Sequence, residues 1–212
     1  VVYDAHEMEV ERYPPLTIEK RASIMLLESE CLKHVDSMIT VSEGCAEHYA
    51  RKFPGDVAIV MNVPERVDSQ ATRTFRDQLE IGPVEKIIVY TGAVGGPGRG
   101  LHLTVQALDR LPSHHLVVLG NRRAKRDEWL RSFIGPDVAR RVHLLPAVSG
   151  ERVVSAIASA DLAICPIQDV GLSYRHSMPN KLFEAMEARL PICVSNLPDM
   201  KAFVERLGIG IA

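Results

Sequence analysis

Lys86-Ile-Ile-Val-Tyr-Thr91, Gly92-Ala-Val-Gly-Gly-Pro-Gly-Arg-Gly100 and Leu101-His-Leu-Thr-Val-Gln-Ala-Leu108 run consecutively and decide the fold. The first piece is a short apolar, β-branched run bounded by a turn signal, which reads as a buried strand. The second holds five glycines in nine residues, a tight loop in which backbone N–H groups can approach a ligand closely. The third carries apolar residues at helical spacing. Strand, glycine loop and helix together are the opening of a βα unit. The pattern recurs downstream: strand 116–119 precedes helix 125–133, and strand 142–145 precedes helix 151–159. Strand 162–167 leads through a long loop to helix 180–188, and strand 192–195 to helix 200–207. Five such units with near-continuous apolar strands predict an α/β protein with a Rossmann-like, doubly wound parallel sheet. Sheets of this kind bind ligands beyond the carboxyl ends of their strands, so the loops after each strand are where function is sought.

Upstream the rhythm is similar but shorter. Val1-Val2-Tyr3-Asp4 begins as if within a strand, and a polar stretch then ends at Pro14-Pro15. A helix is expected over 17–34, its apolar stripe running Ile18, Ala22, Met25, Ser29, Leu32. Strand 35–41 leads to Ser42, placed to cap a helix over 43–52. Phe53-Pro54-Gly55 breaks that helix, and strand 57–61 follows. Residues 64–84 are polar with prolines near both ends. The expected division is therefore 1–63, a linker 64–84, and 85–212.

Length and composition limit the function classes. At 212 residues the chain is one large domain or two small ones, and a single domain of this size buries about 70% of its unfolded surface. Lys and Arg number 25 against 27 Asp and Glu, a net charge of −2; a nucleic-acid binder normally shows a basic excess. Aromatic residues, at 5%, offer few platforms for stacking. No apolar run approaches the roughly 18–20 residues that span a bilayer. Cys31, Cys45, Cys165 and Cys193 follow no metal-ligand spacing and read as small buried hydrophobes in a reducing compartment. These features predict a soluble, cytoplasmic protein.

Three segments are candidates for chemistry. Arg99, in the glycine loop with Gly92, Gly98 and Gly100, stands at a helix N-terminus, a natural anion site; its spacing is neither the dinucleotide nor the Walker fingerprint. Pro179-Asn180-Lys181-Leu182 opens another helix and presents amides and a cation. Glu184, one turn on among apolar neighbours, is costly unless something accepts its charge; a salt bridge and a ribose with vicinal hydroxyls are both open. Asp4, His6 and Glu7 end the first strand, where two acids can orient a histidine. The basic run Arg122-Arg123-Ala124-Lys125-Arg126 after Gly120 fits a solvated helix face, with phosphate or an anionic membrane surface as the other reading.

The residues that carry a family resemblance are VVYDAHE, VDSMITVSEGCAEHY, MNVP, IIVYTGAVGGPGRGLHLTVQAL, HLVVLGN, RVHLLPAV, ADLAICPI and SMPNKLFEAMEARLPICVSNLPDM. In this order the chain resembles the GT-B fold glycosyltransferases of family 4, or group 1. The resemblance implies two facing Rossmann-like domains, residues 1–63 being the C-terminal part of an acceptor-side domain and 85–212 the nucleotide-sugar-binding domain. It implies a hexosyltransferase-type enzyme of glycan biosynthesis that passes sugar, with retention, from a UDP-, GDP- or ADP-linked donor to a glycan, lipid-linked or small-molecule acceptor hydroxyl. No metal or other cofactor, and no nucleic acid, is implied; peripheral contact with the inner face of the membrane is. Arg99, Pro179, Asn180 and Lys181 would hold the diphosphate, Glu184 the ribose, His6 the transferred sugar, and 142–145, with His143, the nucleobase; Gly120, His176 and Leu182 complete the expected donor site, and His6 and Glu184 are its expected catalytic residues.

Three positions depart from the family pattern. His176 stands where the first acid of the paired motif belongs, Ala93 where a basic residue often follows the first glycine, and Arg189 where the helix usually ends in glycine. The departures at 176 and 93 leave two other readings, a nucleotide-sugar 2-epimerase of the same fold and a non-catalytic nucleotide-binding subunit. Measured against the resemblance, the chain is expected to be a fragment lacking most of the N-terminal domain, which binds nucleotide weakly and does not turn over.

Overall fold

The structure, a computed structural model, describes residues 1–12, 14–66, 74–96, 98–121 and 123–212. The middle of the expected linker (67–73), Pro97 of the glycine loop and Arg122 of the basic run lie outside the described residues. In chain order the first unit contains β1 (Val2–Ala5), α1 (Ile18–Leu32), β2 (Ser37–Thr40), α2 (Glu43–Ala50) and β3 (Val57–Ile59), its strands parallel in the order β1-β2-β3. After α3 (Phe75–Leu79) come β4 (Lys86–Thr91), α4 (Leu101–Ala107), β5 (His114–Gly120), α5 (Ala124–Arg131), β6 (Val142–Pro146) and α6 (Gly150–Ile157). β7 (Leu162–Cys165), α7 (Leu172–Arg175), α8 (Asn180–Glu187), β8 (Ile192–Val194), α9 (Pro198–Leu207) and β9 (Gly210–Ile211) complete the chain.

The second sheet is parallel throughout, in the order β6-β5-β4-β7-β8-β9. The chain moves outward from β4 to β6, then returns to the other side of β4 with β7, so the direction of winding reverses between those two strands. Alternation along β4 shows why both faces are dry. Ile87 and Val89 join the core beneath α6, α8 and α9, whereas Ile88 and Tyr90 join the core beneath α4 and α5. Period-two alternation with every side chain apolar is what a sheet covered on both faces requires.

Local signals place most boundaries. Ser42 caps α2, its Oγ accepting the Cys45 N–H at 3.2 Å, and Thr74 caps α3 in the same way with the Asp77 N–H. β7 stops before Pro166, which has no N–H to give a ladder. α9 starts earlier than expected because Pro198 suits a first helical turn. Two short helices, α3 and α7, occupy segments that read as linker and loop.

Two expectations fail in the first unit. The stripe assigned to α1 is not covered: Ile18 is 87% exposed, Met25, Leu26 and Leu27 are also exposed, and only Leu32 is buried. Periodicity gives a helix its apolar residues but not a partner, and only the Leu32 end of the stripe reaches the core of the first unit. Cys31, on the same helix, is exposed, while Cys45 and Cys165 are buried and Cys193 partly so.

His143 is not beside a cleft. It lies on edge strand β6, short of the strand's carboxyl end, where its ring stacks on His115 (10° between planes) with Nε2 2.9 Å from His115 Nδ1. His115 Nε2 donates to Glu85 Oε1 at 3.0 Å, because a carboxylate can only accept. That hydrogen bond, then the Gly82 N–H, holds Glu85 below the usual carboxylate range. Burial first, and then His115, pushes His143 below the ordinary histidine range; burial does the same to His48. A histidine depressed in the fold takes its proton more readily in the unfolded chain. Stability is therefore complete above the unfolded value of about 6.5 and declines as pH falls towards the folded value. Urea unfolding between about pH 7.5 and 5.5 should show this decline, and His143→Asn should flatten it; an unchanged slope would contradict the assignment.

Arg189 ends α8 in the left-handed conformation, φ +58°, with its N–H on Met186 O and the Leu190 N–H on Ala185 O, both 2.9 Å. A non-glycine residue there carries strain of about 1 kcal/mol. Arg189→Gly should raise the unfolding free energy by about that amount; a variant no more stable than the parent would show that the exposed arginine compensates elsewhere.

Candidate functional site

A cleft of about 400 Å³ opens beyond the carboxyl ends of β4, β5 and β6, beside the reversal in strand order. Its floor is backbone. Gly92 (φ +119°) and Gly120 end adjacent strands, and a Cβ on Gly120 would lie 1.8 Å from Gly92 O. Only glycine fits at 120, and the absent side chain leaves the strand ends open to a ligand.

Polar side chains reach the cleft from two directions. Thr91 ends β4, and its Oγ1 donates to Glu184 Oε2 at 2.9 Å. That hydrogen bond holds one oxygen of a carboxylate placed among buried neighbours on α8. Lys181, one turn before it, is only 9% exposed. Its Nζ sits 3.9 Å from the centroid of the Tyr90 ring, whose hydroxyl donates to Ala93 O at 3.0 Å. No carboxylate pairs with Lys181 among the described residues. A cation this buried is normally paired, and a cation–π contact accounts for part of the difference.

The glycine loop behaves differently from expectation at two of its glycines. Gly98 and Gly100 do not line the cleft. A Cβ on Gly98 would press on Tyr174 at 2.7 Å, and one on Gly100 would meet Pro166 O at 1.7 Å. Gly98 O also accepts the Gln168 N–H at 3.0 Å. These glycines fasten the loop to the segment after β7, and Arg99 between them faces the cleft. Its guanidinium lies 5.8 Å from the Tyr174 ring centroid.

Of the remaining expected residues, Pro179 and Asn180 line the cleft at the N-terminus of α8. Leu182 does not; it is fully buried in the core behind the helix. In place of 142–145 the wall below β6 is Ala147, Val148 and Val153, because the cleft lies past the end of that strand. His6 lines a second cavity, of about 320 Å³, between the two units. Arg99, Pro179 and Asn180 line both cavities. His6 Nε2 is 3.1 Å from Asp4 Oδ2, and Arg12 and Tyr174 face the same space. His176 reaches neither cavity; its Nδ1 lies 3.0 Å from Asp199 Oδ2, at the contact between the units. Lys125 and Arg126 are exposed, as a solvated helix face would be.

Sequence reading missed Thr91, Tyr90 and Tyr174. Thr91 and Tyr90 carried a signal, a hydroxyl and a polar aromatic at the end of an otherwise aliphatic strand. Tyr174 carried none, since its role depends on where the loop after β7 folds back. Among the described residues no helix is long and apolar enough to cross a membrane.

Comparison with known proteins places this geometry. No curated protein sequence matches the chain. Sucrose-phosphate synthase from Thermosynechococcus elongatus superposes with a TM-score of 0.75 at 16% identity, over 99% of this chain and 53% of that one. Anabaena HepE in complex with UDP gives 0.75 at 15% identity, over 99% and 57%. The pneumococcal O-GlcNAc transferase GtfA, in complex with UDP and GlcNAc, gives 0.55 at 14% identity, over 93% and 37%. The chain thus spans about half the length of the first two structures, and it shares their GT-B fold. The family model described as "Glycosyl transferases group 1" matches residues 85–211, well over half of the sequence. The chain therefore belongs to the group 1 glycosyl transferases.

Proposed function

We propose that the chain forms the donor side of a glycosyltransferase that moves a sugar from a nucleoside-diphosphate carrier to an acceptor hydroxyl with retention of configuration. The observation that carries this reading is the cleft at the reversal in strand order. There a buried ammonium with no carboxylate partner among the described residues, Lys181, and the Arg99 guanidinium share one space with a carboxylate, Glu184. Two cations suit a diphosphate, and a carboxylate suits the vicinal hydroxyls of a ribose. UDP accompanies HepE and GtfA in their solved structures, which makes it the first ligand to try here.

In this reading the nucleoside lies over Gly120 and against Ala147 and Val148, with its ribose on Glu184, held by Thr91. The diphosphate reaches towards Lys181, Arg99 and the first amides of α8. The sugar then projects past Arg99 and Asn180, which line both cavities, into the space that His6 also lines. As the glycosidic bond breaks, negative charge grows on the leaving diphosphate. Cations and helix amides already in place stabilise that charge more than they stabilise the bound donor, and this difference lowers the barrier. His6, oriented by Asp4, would contact the sugar from the opposite wall, and the acceptor would enter from the first unit.

Calorimetric titration with UDP, GDP and ADP tests the reading. One of the three should bind. Lys181→Met and Glu184→Gln should each weaken that binding by roughly 10- to 100-fold, the loss expected for one charge-assisted contact of about 1.5–3 kcal/mol. Failure of all three nucleotides to bind the unaltered protein would overturn it.

A further inference from the structure

One carboxylate joins the two units. Asp199 Oδ2 accepts the Gly44 N–H of α2 at 3.3 Å and faces His176 Nδ1 at 3.0 Å. Asp199 belongs to the first turn of α9, so a carboxylate from the second unit satisfies an N–H that the start of α2 leaves without an intrahelical partner. Next to it, Ser42 Oγ, the cap of α2, donates to the His176 carbonyl at 2.7 Å. Both members of the pair are largely shielded, His176 20% and Asp199 12% exposed.

Gly44 shows how close this contact is. It occupies an ordinary helical position, where alanine is the better helix former. A Cβ there would nevertheless fall 1.8 Å from His176 Nδ1 and 2.4 Å from two further ring atoms. Local preference and the observed residue conflict, and the contact with the other unit accounts for the conflict. The identity of residue 176 matters in the same way: an acid there would oppose the Asp199 carboxylate, whereas an imidazole can donate to it.

The chain leaving His176 is the wall of both cavities. Ser177, Met178 and Pro179 line the second cavity, and Pro179, Asn180 and Lys181 line the first. At the far end of this run the first unit takes hold again, Asn62 Nδ2 donating to Asn180 Oδ1 at 2.9 Å.

We propose that Gly44, His176 and Asp199 form a clasp that sets the angle between the two units and, through residues 176–181, places Asn180 and Lys181 in the donor cleft. His176 is thereby a positioning residue that acts without touching the donor. Only the effect on nucleotide affinity rests on the donor reading above; the clasp itself does not.

The test separates the two. Spin labels on exposed Cys31 and on an introduced Glu205→Cys, in a Cys193→Ser background, report the distance between units, and calorimetry with UDP reports the cleft. Gly44→Ala should lengthen or broaden the distance distribution and weaken UDP binding about five- to tenfold, within the usual range for coupled sites. Adding His176→Ala removes the ring that the new methyl strikes, so the double variant should be milder than Gly44→Ala alone in both readouts. His176→Asn, which keeps a donor close to the Nδ1 position, should stay near the parent. A Gly44→Ala protein with parental distances, or a double variant as disturbed as Gly44→Ala, would overturn the clasp. A parent that does not bind UDP would count against UDP as the donor nucleotide, and the distances would still decide the clasp.

Discussion

The cleft beyond the ends of β4 and β5 is built around a buried ammonium. Lys181 enters the protein on a helix whose neighbouring residues Leu182, Phe183 and Ala185 are core, and it is nearly as inaccessible as they are. Burying a charge is unfavourable unless the surroundings return what water supplied. Here the face of Tyr90 provides part of that, and in the proposed function a donor diphosphate would provide the rest. The requirement shapes the surroundings. Tyr90 is fixed by its own hydrogen bond to Ala93, Thr91 holds Glu184, the acid one turn further along the helix, and Gly92, with φ +119°, turns the chain beside Nζ. Consecutive residues of one strand end thus serve the cation, the carboxylate and the turn in order.

The two cations of the cleft come from separate segments: Arg99 from the glycine loop and Lys181 from α8, its Nζ beside Gly92. A cleft built this way needs the glycine loop and the start of α8 held in register. The glycine loop is fastened by Gly98 and Gly100 against the chain after β7, and the start of α8 is tied to the first unit through Asn62. Charge placement in the cleft and the angle between the units are therefore parts of one packing problem.

The sequence made the second sheet legible because its strands are apolar on both faces, and that pattern has one solution, a parallel sheet covered twice. Its site loops were legible for the same reason: knowing the strand ends locates Arg99, Asn180, Lys181 and Glu184. Residues whose role comes from long-range packing were not legible. His176 could be placed at the position of a missing acid, but its turn towards Asp199 depends on a contact with α2. His143 read as cleft wall because a strand range was used where the strand's end was needed. α1 shows the same limit in reverse. Its periodicity predicted a helix correctly, and the apolar stripe then lay exposed except at Leu32.

A crystal structure of the protein with UDP bound is the most direct test of the central claim. The account predicts the diphosphate between Arg99 and Lys181, with oxygens at about 3 Å from the Lys181 ammonium, and the ribose hydroxyls on the Glu184 carboxylate. UDP bound elsewhere, or bound in the cleft with its phosphates directed away from Lys181, would contradict it.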